Sequence, residues 1–358
     1  MCSERHGPGP GRRGQLGASI VELMVGLVIS LLVGLAATTT AITFMAQQRQ
    51  GVGVGGIAVN SGTVMASLRD DVAAAGLGFF GDSAYLCQRL NLSVGGTAAI
   101  DGAVFSPLQV TRQGDTDVLD VMYASRVESG AAVRVTSASA GTDVLLASFL
   151  PVQDGQAVLL APGPATAAPP PCLVRTVTAQ VAATPEAPQR LDFAAAGAHN
   201  AVPFTLPSVF DDEARVTQLG ELQWSRYRRV GDQLILERPL TGASAIVARD
   251  VVSFRVQYGV AAAAPGSTAL ESWVDPAGAF ASLSAANLAR VRALRIGLIV
   301  RSPQRQKPDA AGNCDATEEK PALFGGAAEN LDNADWNCWR YRTTTVLVPL
   351  RNVVLGLR

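Results

Sequence analysis

The feature that most constrains this chain is a long apolar run near its N-terminus that carries one carboxylate at its start. Leu23 to Phe44 are 22 consecutive residues without a charged side chain, and Glu22 stands directly before them. As a helix, the run would reach about 33 Å, enough to cross a bilayer core of about 30 Å. We therefore predict a transmembrane helix. An intramembrane carboxylate costs about 2.5–3.5 kcal/mol, so Glu22 should have a partner or a function.

Two simpler explanations account for this run less well. A secretory signal peptide has an apolar region of about 7–15 residues, followed by a small-residue cleavage site. Here the run is longer, and its small residues, Gly17, Ala18 and Ser19, come before it. An ordinary N-terminal anchor would place Glu22 at the level of the lipid headgroups, but the combination of features is unusual for an anchor.

The residues around the carboxylate resemble the N-terminus of a type IV prepilin. That family has a short basic leader, a glycine, and then a small or apolar stretch with glutamate at the fifth mature position. SIVELMVG at 19–26 is close to this pattern, and counting back from Glu22 makes Ala18 the first mature residue. Ala18 departs from the family, since most members have a bulky residue there. The resemblance implies that a prepilin peptidase cleaves between Gly17 and Ala18 and then N-methylates Ala18.

The same resemblance implies that Glu22 acts in assembly. Cleavage would create a positive α-amine, and pairing with Glu22, in the same chain or a neighbouring subunit, would offset two desolvation costs together. Arg12 and Arg13 precede the span and only Arg49 soon follows it. The positive-inside rule then places the leader in the cytoplasm and the head in the periplasm. We expect an inner-membrane protein that later joins a pilus on the cell surface.

A stripe of small residues follows the carboxylate along the same helix. Gly26, Ser30, Gly34 and Thr38 recur every four residues, where another helix could approach closely. We interpret the stripe as a surface for packing into a bundle of pilin helices. Chance composition is the alternative, because glycine is common in membrane helices.

Length and composition limit the rest of the chain. About 280 residues remain after the helix, enough for one large head or two lobes. Removing residues 1–17, which hold three arginines and one glutamate, from 29 basic and 30 acidic residues leaves a net charge of −3. Nucleic acid is therefore not expected as the main partner. A charged content of 16 %, with abundant alanine, glycine and valine, favours a β-rich extracytoplasmic head.

The cysteines also fit an exported head. Cys2 would leave with the leader, and four remain: Cys87, Cys172, Cys314 and Cys338. Four cysteines allow three pairings. We favour Cys314–Cys338, which bracket a polar loop, and this leaves Cys87–Cys172. Zinc is the rival use, but no CxxC spacing exists, and His199 is the one histidine of the mature chain.

Local patterns predict an α+β, pilin-like fold: a long N-terminal helix followed by a β-rich head. Val64, Leu68, Val72 and Ala75 share one helix face, with Ser61 as a cap, and GVGVGG at 51–56 predicts a soft or kinked joint. Later strand-like stretches include LQWSRYRRVGDQLILERPL, a hairpin turning at Gly231-Asp232. We divide the chain into a leader (1–17), a transmembrane core helix (18–45), its periplasmic continuation (46–78) and the head (79–358).

The C-terminal third carries a narrower resemblance. VARDVVSFRVQYGV, ARVRALRIGLIVRSP and WRYRTTTVLVPLRNVVLG, together with SLRDDVAAAGLGFFG at the helix end, look like the minor pilins of the PilW family. Residues 100–240 match nothing recognisable. In RALRIGLIV, alternate residues from Leu294 to Val300 predict a strand with one buried face. The family implies a subunit that primes type IV pilus assembly near the tip. Its implied partners are other minor pilins, the major pilin, the prepilin peptidase, the assembly platform and a tip adhesin.

Two other functions remain open. A minor pseudopilin of a type II secretion system shares the N-terminal features. An adhesive or DNA-capturing module anchored by a pilin-like helix belongs to a different class. WSRYRRV and WRYR interleave arginine with aromatic residues, as single-strand-binding surfaces do. We favour strands whose arginines stack over neighbouring rings.

The sequence offers no complete catalytic or metal-binding motif. GDSAY at 81–85 lacks the second glycine of GxSxG, and the one candidate base, His199, stands in a loop where we expect it to be solvated. No phosphate-binding glycine loop or HExxH is present. DAAGNCDATEE at 309–319 does not have EF-hand spacing, so we favour a solvated acidic loop over a calcium site. We predict no enzymatic activity, no cofactor and no metal.

Overall fold

The computed structural model describes residues 20–79, 87–125, 132–139, 142–163, 170–201, 203–208, 210–263, 267, 269–331 and 334–355. Within these ranges, only the backbone is described at 42, 43, 45–60, 138, 139, 285, 354 and 355. The chain divides into two compact units between Gly55 and Gly56.

The N-terminal helix, α1, runs from Ile20 to Ala74. The glycines at 51–56 do not end it, and the boundary between the two compact units falls among them. Ser61 lies inside the helix and is buried, so its predicted role as an N-cap is wrong. Two glycines in the left-handed region, Gly76 with φ 79° and Gly78 with φ 85°, follow the last turn, as at many helix ends. The domain boundaries at 17, 45 and 78 stay predictions.

The head is built mainly from strands, which confirms the predicted fold class of a long N-terminal helix followed by a β-rich head. The strands are β1 Arg89–Val94, β2 Thr97–Val104, β3 Leu108–Gln113, β4 Thr116–Ala124, β5 Val133–Ser139, β6 Asp143–Leu146, β7 Ala157–Ala161, β8 Cys172–Thr176, β9 Ala179–Val181, β10 Gln189–Asp192, β11 Arg215–Gly220, β12 Leu222–Val230, β13 Gln233–Arg238, β14 Ala243–Arg249, β15 Val251–Ala261, β16 Leu270–Val274, β17 Val291–Arg301 and β18 Tyr341–Pro349. Two short helices, α2 Ala285–Leu288 and α3 Arg351–Leu355, accompany them.

The strands form three sheets. A nine-stranded sheet has the order β2-β1-β8-β7-β11-β5-β6-β10-β9, a five-stranded sheet β14-β13-β12-β4-β3, and a four-stranded sheet β16-β15-β17-β18. Neighbours are antiparallel except β1 and β8, which run parallel. β12 and β13 form the predicted hairpin, turning at Gly231-Asp232 between the paired Val230 and Gln233. The strands of the nine-stranded sheet lie between residues 89 and 220, mostly in the unmatched middle of the chain, and of the described strands in that range only β3 and β4 belong to the five-stranded sheet.

The C-terminal half of α1 packs against the head through its predicted apolar face. This face enters one core with inward residues of the five-stranded and four-stranded sheets. Its members include Val64, Leu68 and Val72 from α1, Ala75 directly after it, Leu119 and Tyr227 from the five-stranded sheet, and Phe254 and Leu298 from the four-stranded sheet. These side chains are at most 3 % exposed, so the helix supplies one wall of the core.

Strand β17 is buried on both faces, which corrects the sequence interpretation. Leu294, Ile296, Leu298 and Val300 are buried as predicted, but Ile299 on the other face is buried as well. The reason is a segment of the loop between β17 and β18. A Cβ added at Gly297 would lie 2.7 Å from Leu323 Cδ2 and 2.9 Å from Phe324 Cζ, so that segment packs directly on the strand. Periodicity alone could not show this cover.

The cysteines of the described residues form two disulfides, with the pairing favoured from the sequence. Cys87–Cys172 joins the start of β1 to β8, and Cys314–Cys338 closes the polar loop before β18. The first bridge spans a sequence separation of 85 residues and links β1 and β8, the one parallel strand pair of the described sheets. The chain-entropy account values such a cross-link at about 4 kcal/mol.

Candidate assembly site

The first part of α1 exposes nearly all of its apolar side chains. Ile20–Ala41 is the one candidate span in the described part of the chain: by length and composition alone it could cross a membrane. Its large apolar residues range from 52 % exposed at Val25 to 80 % at Ile20. Covering each such side chain is worth about 1.5–3 kcal/mol. This surface therefore favours contact with lipid or with other apolar helices.

Glu22 lies in the first turn of α1, on this apolar surface. It is exposed, and the next two residues along the chain, Leu23 and Met24, are apolar and exposed as well. A carboxylate in the first turn interacts favourably with the positive end of the helix dipole. Gly17 and Ala18, the predicted cleavage and methylation site, lie outside the described residues. The pairing of Glu22 with a terminal amine thus remains a prediction.

Two hydroxyl groups of the small-residue stripe form hydrogen bonds to backbone carbonyl groups of the same helix. Ser30 Oγ donates to Gly26 O at 2.7 Å, and Thr38 Oγ1 donates to Gly34 O at 2.9 Å. A Cβ added at Gly26 or Gly34 would meet no atom within 4 Å. Open space beside both glycines would let a second helix approach closely. Its use in helix packing stays a prediction.

The other end of α1 carries a polar contact that sequence reasoning missed. Asp71 accepts hydrogen bonds at 2.8 Å from two tyrosine hydroxyls, Tyr123 on β4 and Tyr227 on β12. Tyr227 is fully buried, and its hydroxyl also lies 3.4 Å from Ser67 Oγ. Asp71 is three residues from Leu68, at the edge of the apolar helix face. That position was the sequence signal for this contact, but its two partners, Tyr123 and Tyr227, are more than 100 residues apart in the chain.

The environment of these tyrosines keeps both hydroxyls protonated. Burial raises the pKa of Tyr227, and the charge of Asp71 raises it further. The pKa of Tyr123 is raised by burial first and then by its hydrogen bond to Asp71. The two hydroxyls therefore remain donors, and Asp71 joins the helix to neighbouring strands of the five-stranded sheet.

We expect Asp71→Ala to destabilise the head more than a neighbouring change. The substitution leaves the buried Tyr227 hydroxyl without its charged acceptor, and a hydrogen bond to a charged group is worth about 1.5–3 kcal/mol. Asp70→Ala, at the adjacent exposed position, is the matched control and should change the free energy of unfolding by less than about 0.5 kcal/mol. Denaturant unfolding of the full chain in detergent micelles would measure both. Equal stability of the two variants would contradict a role for Asp71 in joining helix and sheet.

The favoured stacking of arginines over rings is seen at one arginine of these two stretches, Arg226, and at a ring of the second, Trp339. Arg226 lies over Trp224 at 5.4 Å, and both donate to Asp120 Oδ1 at 2.8 Å. Arg301 of β17 lies 4.3 Å from the ring of Trp339. These arginines are engaged within the head. Arg340 and Arg342 of WRYR, in contrast, are exposed.

The other chemical candidates are occupied structurally or fall outside the described chain. His199 is not simply solvated, which corrects that expectation: its Nδ1 lies 2.7 Å from Ser93 O, and burial lowers its pKa. GDSAY, at residues 81–85, lies outside the described residues. In the acidic loop, Asp309 Oδ1 accepts the backbone amides of Ala311 and Asn313. Among the residues described, no group of three or more His, Cys, Asp or Glu is placed to hold a metal ion.

Comparison with known proteins gives one informative similarity. Residues 223–352 match the model of the family PilW, type IV pilus-assembly protein W. The matched segment runs from β12 to the start of α3 and contains two of the C-terminal stretches that carried the sequence resemblance and all but the last four residues of the third. The predicted relation to this family is thereby confirmed for the C-terminal part of the head.

The other comparisons add little. A type IV-like pilin from Thermus thermophilus is 10 % identical, with 83 % of this chain and 98 % of that chain covered and a TM-score of 0.32. At that score the similarity supports no inference. No curated protein matches the sequence.

Proposed function

We propose that this chain is a minor pilin, a membrane-anchored component of a type IV pilus system that primes filament assembly and sits near the tip. The observation that carries the proposal is the combination in one chain of two features. One is an exposed apolar helix with Glu22 in its first turn; the other is a head whose C-terminal part matches a pilus-assembly family. The first suits a filament core, and the second suits the assembly machinery.

The size of the head favours a position at the tip. The head contains a nine-stranded sheet outside the family-matched segment, in addition to the five-stranded and four-stranded sheets. Such a head is bulky for a subunit repeated throughout a tightly packed helical filament. At a tip, neighbours constrain one side only. The proposed partners are the other minor pilins, the major pilin, the prepilin peptidase and the assembly platform, with the inner membrane as the site before assembly.

Deletion of the gene should sharply reduce the number of pili, although the protein itself is a trace component of sheared filaments. A priming subunit is needed once per filament, whereas the major pilin is needed at every step of growth. Electron microscopy of the deletion strain and quantitative proteomics of purified pili would measure the two quantities. Re-expression of the wild-type chain is the control and should restore the pili.

Wild-type piliation in the deletion strain, or an abundance comparable to the major pilin, would overturn the priming role. Loss of protein secretion with normal pili would instead indicate a pseudopilin of a secretion system. Either result leaves the helix-and-head architecture intact, because that rests on the structure alone.

A further inference from the structure

Strand β18 is the longest of the six strands that end the three sheets. It has nine residues, and its pairing with β17 runs without a register shift from Tyr341 to Pro349. The other five end strands are shorter, and three of them, β2, β14 and β16, pair through irregular registers. Natural proteins usually protect such edges with bulges, charges or short strands. β18 has neither a bulge nor an inward charge near its centre.

The hydrogen-bond phase shows which residues face the open edge. Leu350 N donates to Arg292 O at 2.9 Å, and Ser302 N donates to Arg340 O at 2.7 Å, at the two ends of the β17–β18 ladder. Hydrogen-bonded positions alternate along an antiparallel ladder, so the even-numbered residues of β18 bond to β17. The odd-numbered residues therefore direct their backbone groups away from the sheet. They are Tyr341, Thr343, Thr345, Leu347 and Pro349.

The proline at the end of the strand agrees with this phase. Pro349 has no N–H, and proline in a sheet stands where that group would face the edge rather than the ladder. The side chains of Thr343, Thr345 and Leu347 are exposed, Leu347 by 54 %. No strand of the described chain pairs with this side of β18. Four outward amides, from Tyr341 to Leu347, are thus available to an incoming strand.

The stretch of sequence that forms this edge carries charge of one sign. From Trp339 to Arg358 the sequence contains four arginines and no aspartate or glutamate. Arg340 and Arg342 lie at the start of β18, Arg351 follows its end, and all three are exposed. None of them forms a salt bridge with another described residue. Asp335, close in sequence, already pairs with Arg305 at 2.6 Å.

These charges disfavour a second copy of the same strand as the occupant. Antiparallel pairing of two β18 strands about Thr345 would place Arg340 opposite Leu350 and Arg342 opposite Val348, so the arginines at both ends of the pair would meet no carboxylate. Parallel pairing would align each arginine with its own equivalent. Like charges placed opposite each other across strands are destabilising. The edge instead fits a strand with carboxylates near both ends.

We propose that the free edge of β18 pairs with an extended segment of a different pilus subunit, a β-branched or apolar stretch with acidic residues on both sides. The segment would add a fifth strand to the β16-β15-β17-β18 sheet by backbone hydrogen bonds to Thr343, Thr345 and Leu347. The flanking arginines would select its charge and register. The identification of the partner as a pilus subunit rests on the proposed function; the strand-pairing property of the edge does not.

The decisive variant is Thr345→Pro, because it removes one outward amide while leaving the β17 ladder intact. Thr345→Val is the matched control, since it keeps the amide and the β-branched shape. The probe is a labelled synthetic peptide of alternating valine and threonine with aspartates at both ends, and its counterpart has lysines at both ends. Binding to the full chain in detergent micelles would be followed by fluorescence anisotropy, and thermal unfolding would verify that each variant is folded.

We expect the aspartate peptide to bind wild type and Thr345→Val. It should bind Thr345→Pro more weakly, by up to about tenfold, because one well-made hydrogen bond is lost. Changing Arg340, Arg342 and Arg351 to glutamate should transfer the preference to the lysine peptide, whereas changing them to lysine should not. Equal binding of both peptides by the wild type, or equal binding by folded Thr345→Pro and Thr345→Val, would overturn the proposal.

A second experiment separates this proposal from the proposed function. In the deletion strain, Thr345→Val should restore the pili and Thr345→Pro should not. If deletion reduces pili and Thr345→Pro restores them fully, the priming role stands and the edge proposal fails. If deletion leaves pili unchanged, the priming role fails, and the peptide measurement alone decides the strand-pairing property.

Discussion

Replacing Gly17 with leucine is expected to abolish processing, so that the leader stays attached and no mature chain enters pili. A bulky residue at the last leader position should block the peptidase, as the prepilin resemblance implies. The retained leader keeps Arg12 and Arg13 on the cytoplasmic side. Moving one arginine into the bilayer costs about 2.5–3.5 kcal/mol on insertion scales, so the unprocessed chain should remain in the membrane.

Intact-mass and N-terminal peptide spectrometry would test this directly. Wild-type chain should begin at a methylated Ala18, and the Gly17→Leu chain should retain residues 1–17. Ala18→Phe is the matched control, because it supplies the residue that most prepilins have and should be processed normally. A wild-type N-terminus at Met1, or one beyond Thr38, would contradict the prepilin interpretation.

Replacing Glu22 with alanine is expected to have the second largest effect, this time after processing. No charged side chain occurs from Leu23 to Phe44, so Glu22 is the carboxylate nearest in sequence to the amine that cleavage would create. An amine left unpaired in apolar surroundings costs about 2.5–3.5 kcal/mol. At 1.4 kcal/mol per factor of ten, subunit docking should weaken roughly a hundredfold. Membrane insertion should become easier, since one charge is removed.

Piliation, processing and membrane fraction must therefore be measured in the same strain. Glu22→Ala should show a cleaved, methylated and membrane-inserted chain with far fewer pili. Glu22→Gln, which keeps the size and removes the charge, should behave like the alanine variant, and Glu22→Asp should retain part of the activity. Normal pili with both neutral variants would show that the carboxylate has no role in assembly.

Much of the architecture could be predicted because its signals are local. The apolar run, the face from Val64 to Ala75 and the Gly231-Asp232 turn each depend on residues close together in the chain, and the structure contains all three. A helix face or a tight turn is specified by a few neighbouring side chains. Ser61 shows the limit of such reasoning: it has the right residue type for a cap, but the helix simply continues through it.

Contacts between distant segments could not be predicted. Asp71 meets Tyr123 and Tyr227 only because β4 and β12 are neighbours in one sheet, and strand pairing over such distances leaves no mark in local periodicity. The close packing at Gly297 also depends on a distant segment, because the loop that carries Leu323 and Phe324 packs on the outer face of β17. The alternation in RALRIGLIV identified one buried face correctly, yet it carried no information about the cover on the other.

The sequence by itself determined the class of the molecule. A long uncharged run preceded by Glu22, a strand-rich composition and the C-terminal stretches indicated a helix-anchored β head related to pilus-assembly proteins. Only the tertiary structure decided which edges and charges stay available. The ladder phase of β17 and β18 turned the backbone groups of Thr343, Thr345 and Leu347 outward. Arg226 and Arg301 lie over rings, whereas Arg340, Arg342 and Arg351 are exposed. The physical reason is that burial and pairing depend on which strands become neighbours, a property of the whole fold and not of any one segment.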